Sequence, residues 1–450
     1  MIELIAKEHD DFSVEFKFAF EDDGHEGKDE FAVNAWMFLP ASLGLDPDNY
    51  GKSQFYRDIR SNVRLITPDF SLEEIDSEDS PLFSQLRRAV DALRRKEPGA
   101  EEKYEYHIKM FAAIFKSAVR DCIPAASSAV HIRSILGRYR HITGDEPRAA
   151  LADEFMSYVL DLYLLRSSAS SGEVLSLLSE EKRYREVHGY GVFTGEMFHD
   201  RELGYHHGLL KKYVESELYI DLDKKRDGIA TEQLLYSIAA GIAMVFATAV
   251  SWLSNARLGS FTFPLFIVLV ISYMMKDRIK DLMRYYFVHK LSNKYYDHKA
   301  EISIGSTKVG VLKEGVDFIS LSRTPSDVLG IRGRGESIAN VSGILEEHVL
   351  LYRKHLTMDV SALSANDEYP TNGINDIIRL NLARFAQKMD DPENDVEALG
   401  SGASQEITTY KVQKIYYIHI VFQLRYSGQL EYRHYRIGLT RSGILSFDQV

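Results

Sequence analysis

The sequence predicts a multidomain membrane protein with an N-terminal β-hairpin plus an α-helical bundle, a central two-helix transmembrane hairpin and a C-terminal α+β domain. Two uncharged apolar runs lie close together near the middle of the 450-residue chain. Before them apolar residues recur at three- and four-residue steps, which is typical of helices, and after them apolar residues alternate, which is typical of strands. The length exceeds the roughly 150 residues of one domain, so two or three folding units are expected.

The composition favours a folded protein in a reducing compartment. Hydrophobic residues make up 45% and charged residues 27% of the chain, close to the averages of globular proteins. The formal net charge of -12 gives no support to nucleic-acid binding, and no nucleic-acid partner is expected. Cys122 is the only cysteine, which excludes an intrachain disulfide and a multi-cysteine zinc site within one chain.

The N-terminal segment, residues 1–50, is predicted to hold a β-hairpin that packs on the following bundle. Phe16, Phe18 and Phe20 share one face of an extended run, and a second apolar run covers 31–40. The acidic loop between the runs could bind a cation or form a solvated turn, and we favour the turn. The candidate cation ligands in the loop are Asp22, Asp23, His25 and Glu26.

Residues 51–230 are predicted to form a cytosolic α-helical domain. The start of the chain is charged and lacks the pattern of a secretory signal, so we expect this region to stay in the cytosol. Three segments have an apolar stripe at helical spacing, and Pro or Gly residues break the pattern between them. These segments are 81–95, 101–122 and 146–167.

The polar cluster just before the first apolar run supplies the catalytic candidates His199, Asp200, His206 and His207. Imidazole and carboxylate groups suit zinc or iron. However, the spacing matches no strong motif, and residues seven apart lie about two helical turns apart along the axis. We therefore favour an ordinary polar start of a helix over a metal or acid–base site, and the sequence assigns no cofactor.

The predicted transmembrane hairpin covers 234–275. Its first run, Leu234 to Leu253, has 20 uncharged residues, which at 1.5 Å per residue matches a bilayer core of ~30 Å. The second run, Phe261 to Met275, has 15 residues, and counting from Leu258 extends it to 18. The alternative is a buried helical hairpin in a large soluble protein, which we disfavour because core helices usually carry polar positions over such a length.

The charges around the hairpin predict that both termini are cytosolic. Lysines and arginines precede the first run and follow the second, whereas the linker holds only Arg257. By the positive-inside rule, both flanks then lie in the cytosol. We expect an integral protein of the bacterial inner (plasma) membrane, with the lipid bilayer as its first partner.

One face of the first run consists of small residues, which allow helices to approach closely. We favour the interpretation that this face seats the second run of the same hairpin. Self-association between chains, giving a homo-oligomer, is the alternative. The face comprises Ser237, Ala240, Ala243, Ala247 and Ser251.

Residues 276–299 are predicted to form a basic, tyrosine-rich juxtamembrane helix, and residues 300–450 a cytosolic α+β domain. Within that domain we expect a helix over 373–389, a polar mobile loop over 390–406 and a β-hairpin that turns at Ser427–Gly428. The glycines and arginines of 330–335 lack the pattern of a P-loop or a dinucleotide fingerprint, and a flexible basic turn is favoured.

Two classes of function remain open. The first is a membrane-anchored scaffold or regulatory protein that presents its domains to cytosolic protein partners. The second is a membrane-anchored enzyme or ligand-gated effector that oligomerises through the hairpin. The sequence contains no hydrolase, metalloprotease or kinase motif, which removes the simplest evidence for an enzyme.

Overall fold

A computed structural model describes the chain in two compact units. The described residues are 2–21, 28–144, 146–165, 172–220, 222–258, 262–292, 296–304, 307–333, 347–359, 362–363, 369, 371, 373–389, 392–399 and 407–450. One unit comprises Met1–Ser61, Asp221–Ala362 and Asp376–Val450, and the other comprises Asn62–Ile220 and Leu363–Asn375. The loop with the four candidate cation ligands, 22–27, lies outside the described residues.

The first unit is rich in β structure. The strands of the described chain, which lie wholly in this unit except for parts of β4 and β9, are β1 (Ile2–Asp10), β2 (Ser13–Glu21), β3 (Lys28–Pro40), β4 (Ile59–Leu65), β5 (Asp223–Arg226), β6 (His298–Ile304), β7 (Thr307–Ile319), β8 (Glu347–Asp359), β9 (Gly373–Asn381), β10 (Glu393–Leu399), β11 (Ile407–Gln413), β12 (Tyr416–Tyr426), β13 (Gln429–Thr440) and β14 (Gly443–Gln449). Eight of them form an antiparallel sheet in the order β14-β13-β12-β3-β8-β7-β6-β5. A second sheet has the order β1-β2-β9-β4, and β10 pairs with β11.

The predicted N-terminal β-hairpin is wrong in its pairing. β2 pairs with β1 across the turn Asp11–Phe12, whereas β3 lies between β12 and β8 in the other sheet. Both predicted strands exist, but alternation along a strand does not reveal its partner. Residues 1–50 therefore share their sheets with the C-terminal strands.

Aromatic side chains fill the space between β2 and the larger sheet. The Phe16 ring lies 4.8 Å from that of Phe422, and the Phe20 ring lies 5.2 Å from that of Phe31. Phe31 in turn stacks on Tyr426 at 4.6 Å. All of these side chains are buried, so the alternating aromatic residues of β2 and β12 form the core of this unit.

The C-terminal region from β6 onwards is β-rich. The predicted hairpin is confirmed, because β12 pairs with β13 across Ser427–Gly428, both of which have positive φ. The helix predicted over 373–389 is wrong in its first half, which is strand β9, and only Ala383–Gln387 is helical. The loop predicted over 390–406 is wrong where β10 forms, and its residues 390–391 and 400–406 lie outside the described residues.

The second unit is helical, as predicted. Its helices are α2 (Leu72–Asp76), α3 (Pro81–Arg94), α4 (Ala100–Asp121), α5 (Ala126–Thr143), α6 (Pro147–Leu164), α7 (Gly172–His188) and α8 (Met197–Val214), while α1 (Lys52–Asp58) belongs to the first unit. The three segments predicted from periodicity correspond to α3, α4 and α6. Pro81 and Pro147 stand at helix starts, where a missing N–H costs little.

Two long helices leave the edge of the larger sheet. α9 (Ile229–Leu258) and α10 (Phe263–Ser292) are inserted between β5 and β6, which are antiparallel neighbours. Among the described residues, one helix, Thr231–Arg257 within α9, is long and apolar enough to cross a membrane. α10 meets charged residues from Lys276 onwards, so its uncharged part is shorter, and the second half of α10 occupies much of the predicted juxtamembrane segment.

Candidate functional site

A pocket of about 590 Å³ lies in the first unit, where α9 and α10 leave the sheet. It is lined by α1, by the turn from β5 into α9, by the end of α10 and by the residues just before β6. The lining combines charged groups with aromatic rings, among them Tyr56, Tyr236 and Phe287. Pockets of this size suit a small ligand.

The pairing of β5 with β6 brings the two ends of the helix insertion together. Arg226 lies opposite His298, and the backbone N–H of Asp227 donates to the carbonyl of Asp297 at 3.4 Å. Gly228, with φ of 78°, then turns the chain into α9. Residues 226–228 and 297–298 therefore meet at the floor of the pocket although about 70 residues of chain separate them.

Asp297 organises one wall of the pocket. Its carboxylate accepts hydrogen bonds from Lys52 at 2.7 Å, from the Tyr56 hydroxyl at 3.0 Å and from the Val316 N–H at 2.8 Å. Burial disfavours the charged form of Lys52, but its bonds to Asp297 and Asp317 outweigh this and raise the Lys52 pKa. Burial, together with the charge of Asp297, raises the Tyr56 pKa far above its usual value, so that the hydroxyl stays a donor.

A second carboxylate, Glu314, holds the neighbouring strands. It accepts from Lys224 at 2.8 Å and from the Tyr352 hydroxyl at 2.9 Å. Burial disfavours the ionised form of Glu314, but the positive charges of Lys354 and Lys224 outweigh this effect and lower the Glu314 pKa. Both carboxylates accept hydrogen bonds from groups of the protein, so they are poorly placed to act as a base.

The four catalytic candidates lie along α8 in the second unit and are not brought together. His199 is exposed, and Asp200 accepts backbone N–H groups of Thr194 and Gly195 at 3.0 and 2.9 Å, as a local cap. His206 contacts Glu154 at 3.0 Å. No three His, Cys, Asp or Glu side chains among the described residues are grouped so that they could hold a metal ion. A catalytic role for any of the four remains a prediction.

His207 stands apart from the other three because it is buried. Its ring stacks on that of Tyr158 with centroids 3.7 Å apart. Burial, and then the nearby charges of His206 and Arg185, lower its pKa to about 4. His207 is therefore a neutral ring in the core at neutral pH, and it is a poor proton donor there.

The small-residue face of α9 is only partly used for packing. Ala243 is buried, Ala247 and Ser251 are half-buried, and Ser237 and Ala240 are exposed. Ala239, which the prediction did not include, is fully buried. The face that packs is thus rotated slightly from the predicted one.

The basic glycine-rich stretch of residues 330–335 also differs from the flexible basic turn that the sequence predicted. Arg332 ends helix α11 (Ser326–Arg332) and forms an ion pair with Glu347 at 2.6 Å. Gly335 and Arg334 lie outside the described residues. The described part of this stretch is a helix end held to β8.

The fold and the pocket define a class: a two-unit protein with one helix long and apolar enough to cross a membrane and a polar, aromatic pocket at the base of that helix. Comparison with known proteins does not narrow this class, since no family model, no curated protein and no solved structure matches the chain significantly.

Sequence reasoning missed the pocket. Its residues come from stretches near 52–57, 226–236, 287 and 296–298, and none of these stretches contains a motif. The available signal was the Asp227–Gly228 turn directly before the apolar run, which marks the point where the chain leaves the sheet.

Proposed function

We propose that the protein is a membrane-anchored cytosolic scaffold or regulatory protein, held by α9 and α10 as a two-helix transmembrane hairpin. The supporting observation is the exposure of α9. Its span Thr231–Arg257 has a mean hydropathy of 1.9, and only 11% of its most apolar stretch is buried. Val245 and Trp252 are 70% and 75% exposed. Such a continuous apolar surface is unfavourable in water and favourable in lipid.

The first part of α10 supplies the second span. Phe266 and Met274 are 63% and 64% exposed, so this helix also presents apolar side chains outward. α9 starts and α10 ends at the same sheet edge, where β5 contributes the basic residues Lys224, Lys225 and Arg226. Under the positive-inside rule these basic residues support a cytosolic location for both units, in which they would be available to protein partners.

A matched pair of double variants tests membrane anchoring. Ile242→Asp with Val245→Asp introduces two carboxylates into α9, each costing about 2.5 to 3.5 kcal/mol at the bilayer centre. We expect this variant to leave the carbonate-washed membrane fraction. Ile123→Asp with Val187→Asp changes two residues of the second unit that are even more exposed than Ile242 and Val245, and it should stay with the wild type in that fraction.

Two results would contradict the proposal: wild-type protein that carbonate removes from membranes, or the same distribution for both double variants. A reporter fused after Val450 tests the orientation separately and should be found on the cytosolic side.

A ligand-gated effector that oligomerises through the hairpin is the second candidate, and the pairing of α9 with α10 favours it. The Arg284 guanidinium lies 5.1 Å from the ring centre of Tyr236, while α9 ends at Leu258 and α10 begins at Phe263 after a short connection. The helices are therefore antiparallel. At an equal rise per residue, Arg278 lies level with Ile242.

This pairing sets the charged part of α10 beside the uncharged first half of α9. If α9 spans the bilayer along its whole apolar run, Lys276 to Arg284 lie at the depth of the inner leaflet. Charged groups at that depth face water or one another. In an assembly of several copies, α9 would face lipid and the charged part of α10 would face a shared interior. The apolar side chains of α9 and the charged side chains of α10 would then each have a favourable environment.

A further inference from the structure

The pocket at the base of α9 and α10 contains one acid, Asp227, that the protein leaves underpaired. Its side chain is 13% exposed, and its one ion-pair partner among the described residues is Lys313, at the long distance of 3.9 Å. The other acids of the pocket are better satisfied. Asp297 has Lys52, Tyr56 and a backbone N–H, while Glu232 has Arg226 at 3.1 Å and the Tyr236 hydroxyl at 3.2 Å.

The same pocket contains an underpaired base. Arg57 is exposed, and within the described part of the chain its side chain has one hydrogen-bond partner, the Ser53 hydroxyl at 3.5 Å. Lys52 and Arg226, by contrast, each have a carboxylate within 3.1 Å. Arg57 thus keeps donors available for an anionic group, and a guanidinium is well suited to a phosphate.

The lining of the pocket combines charged groups with apolar and aromatic side chains of the two helices. Arg57, Asp227 and Asp297 come from α1 and the sheet edge, whereas Leu235, Tyr236 and Phe287 come from the two helices. Leu235 stands at the start of the apolar run of α9. In the proposed orientation the pocket therefore lies at the cytosolic surface of the bilayer, within reach of lipid headgroups.

We propose that this pocket binds a phosphoethanolamine zwitterion, with phosphatidylethanolamine of the surrounding bilayer as its source. Arg57 would receive the phosphate, Asp227 the ammonium, and the helix side the glycerol and the first part of the acyl chains. An ammonium that carries hydrogens suits a carboxylate acceptor better than a choline group, which has none to donate. The lining has equal numbers of acidic residues and of lysines and arginines, which suits a neutral headgroup better than an anionic one.

This inference rests on the proposed membrane anchoring, and the full-length protein in detergent tests it. Native mass spectrometry after equilibration with equal amounts of phosphatidylethanolamine and phosphatidylcholine should show preferential retention of phosphatidylethanolamine. Arg57→Gln and Asp227→Asn should each weaken that retention by about tenfold, because each leaves one charge of the ligand unpaired. Arg60→Gln and Asp223→Asn change exposed residues that do not line the pocket. These two variants should retain phosphatidylethanolamine as the wild type does.

Equal retention of the two lipids by the wild type would overturn the assignment, as would equal losses in the pocket and control variants. Arg57→Lys keeps the positive charge and should bind phosphatidylethanolamine more strongly than Arg57→Gln. This comparison separates the loss of the charge from a folding defect. Glycerophosphoethanolamine, a soluble headgroup, should compete with the lipid. Glycerophosphoethanolamine could bind even if carbonate removes the wild-type protein from membranes. In that case the pocket binds a free phosphoethanolamine compound, and only the proposal of membrane anchoring is wrong.

Discussion

Arg140 on α5 is a half-buried residue that connects two buried carboxylates of the second unit. Its guanidinium binds Asp153 at 2.8 Å and both oxygens of Glu181 at 2.9 and 2.8 Å, and it lies 3.6 Å from the ring centre of Tyr184. Both carboxylates are buried. Removing one member of such a network leaves uncompensated charge in the interior.

Replacing Arg140 with Met should therefore lower the free energy of unfolding by about 3 to 5 kcal/mol. Arg133 on the same helix binds Glu180 in the same two-pronged way at 2.8 and 3.0 Å, but that pair is exposed. Arg133→Met should cost at most about 1 kcal/mol. Urea unfolding of the two variants measures the difference, and similar losses would show that the Arg140 network is not effectively buried.

His207 is expected to make the second unit sensitive to acid. Its pKa falls from 6.5 to about 4 on folding. The folded form thus resists protonation, so stability is complete above pH 6.5 and decreases as the pH falls toward 4, by up to about 3 kcal/mol.

His207→Phe keeps a ring against Tyr158 and removes the titration. Between pH 7.5 and 5, the melting temperature of this variant should fall less than that of the wild type. His199→Phe changes an exposed histidine and should keep the wild-type pH dependence. Parallel pH curves for the wild type and His207→Phe would contradict the assignment.

At the scale of elements, periodicity was a reliable guide where the apolar residues themselves recur at helical or at strand spacing. Phe83 and Leu86 of α3 are buried at helical spacing, and the alternating residues from Tyr416 to Leu424 of β12 are buried at strand spacing. In β9 the residues Gly373 to Asp376 are all buried, so the run shows neither period and resembles a helix in sequence. Strand partners depend on distant segments, which is why β3 could not be placed beside β12.

The two faces of α9 give a prediction about helix packing. Ala243 is 1% exposed, so Ala243→Leu should strain the contact with α10 and destabilise the pair by about 1 to 3 kcal/mol. Ala240→Leu, on an exposed position, should change stability by no more than about 0.5 kcal/mol. The measurement is the thermal midpoint of the full chain in detergent, and a larger effect at Ala240 would mean that the other face seats α10.

At the scale of the whole molecule, the insertion joins a helix that is long and apolar enough to cross a membrane to a sheet, through two adjacent strands. The two apolar runs predicted these two helices, because uncharged stretches of that length are visible in any single sequence. The pocket could not be predicted, since Lys52, Asp227 and Asp297 become neighbours only through the register of β5 with β6 and the position of α1. A ligand in the pocket would contact the sheet edge and both helices.

The depth of the charged segment of α10 decides between an assembly and a shallow anchor. In a Cys122→Ser background, Arg278→Cys and Ile242→Cys place single thiols at the same level on α10 and α9. If several copies enclose a water-filled interior, a water-soluble maleimide should label Arg278→Cys in membranes, and a short thiol crosslinker should join copies through it. Ile242→Cys should face lipid and remain unlabelled.

Equal labelling at both positions would instead place the first half of α9 in water, leaving only the distal half of the hairpin in the bilayer. Labelling of Arg278→Cys without any crosslinked species would rule out the assembly and retain the anchor.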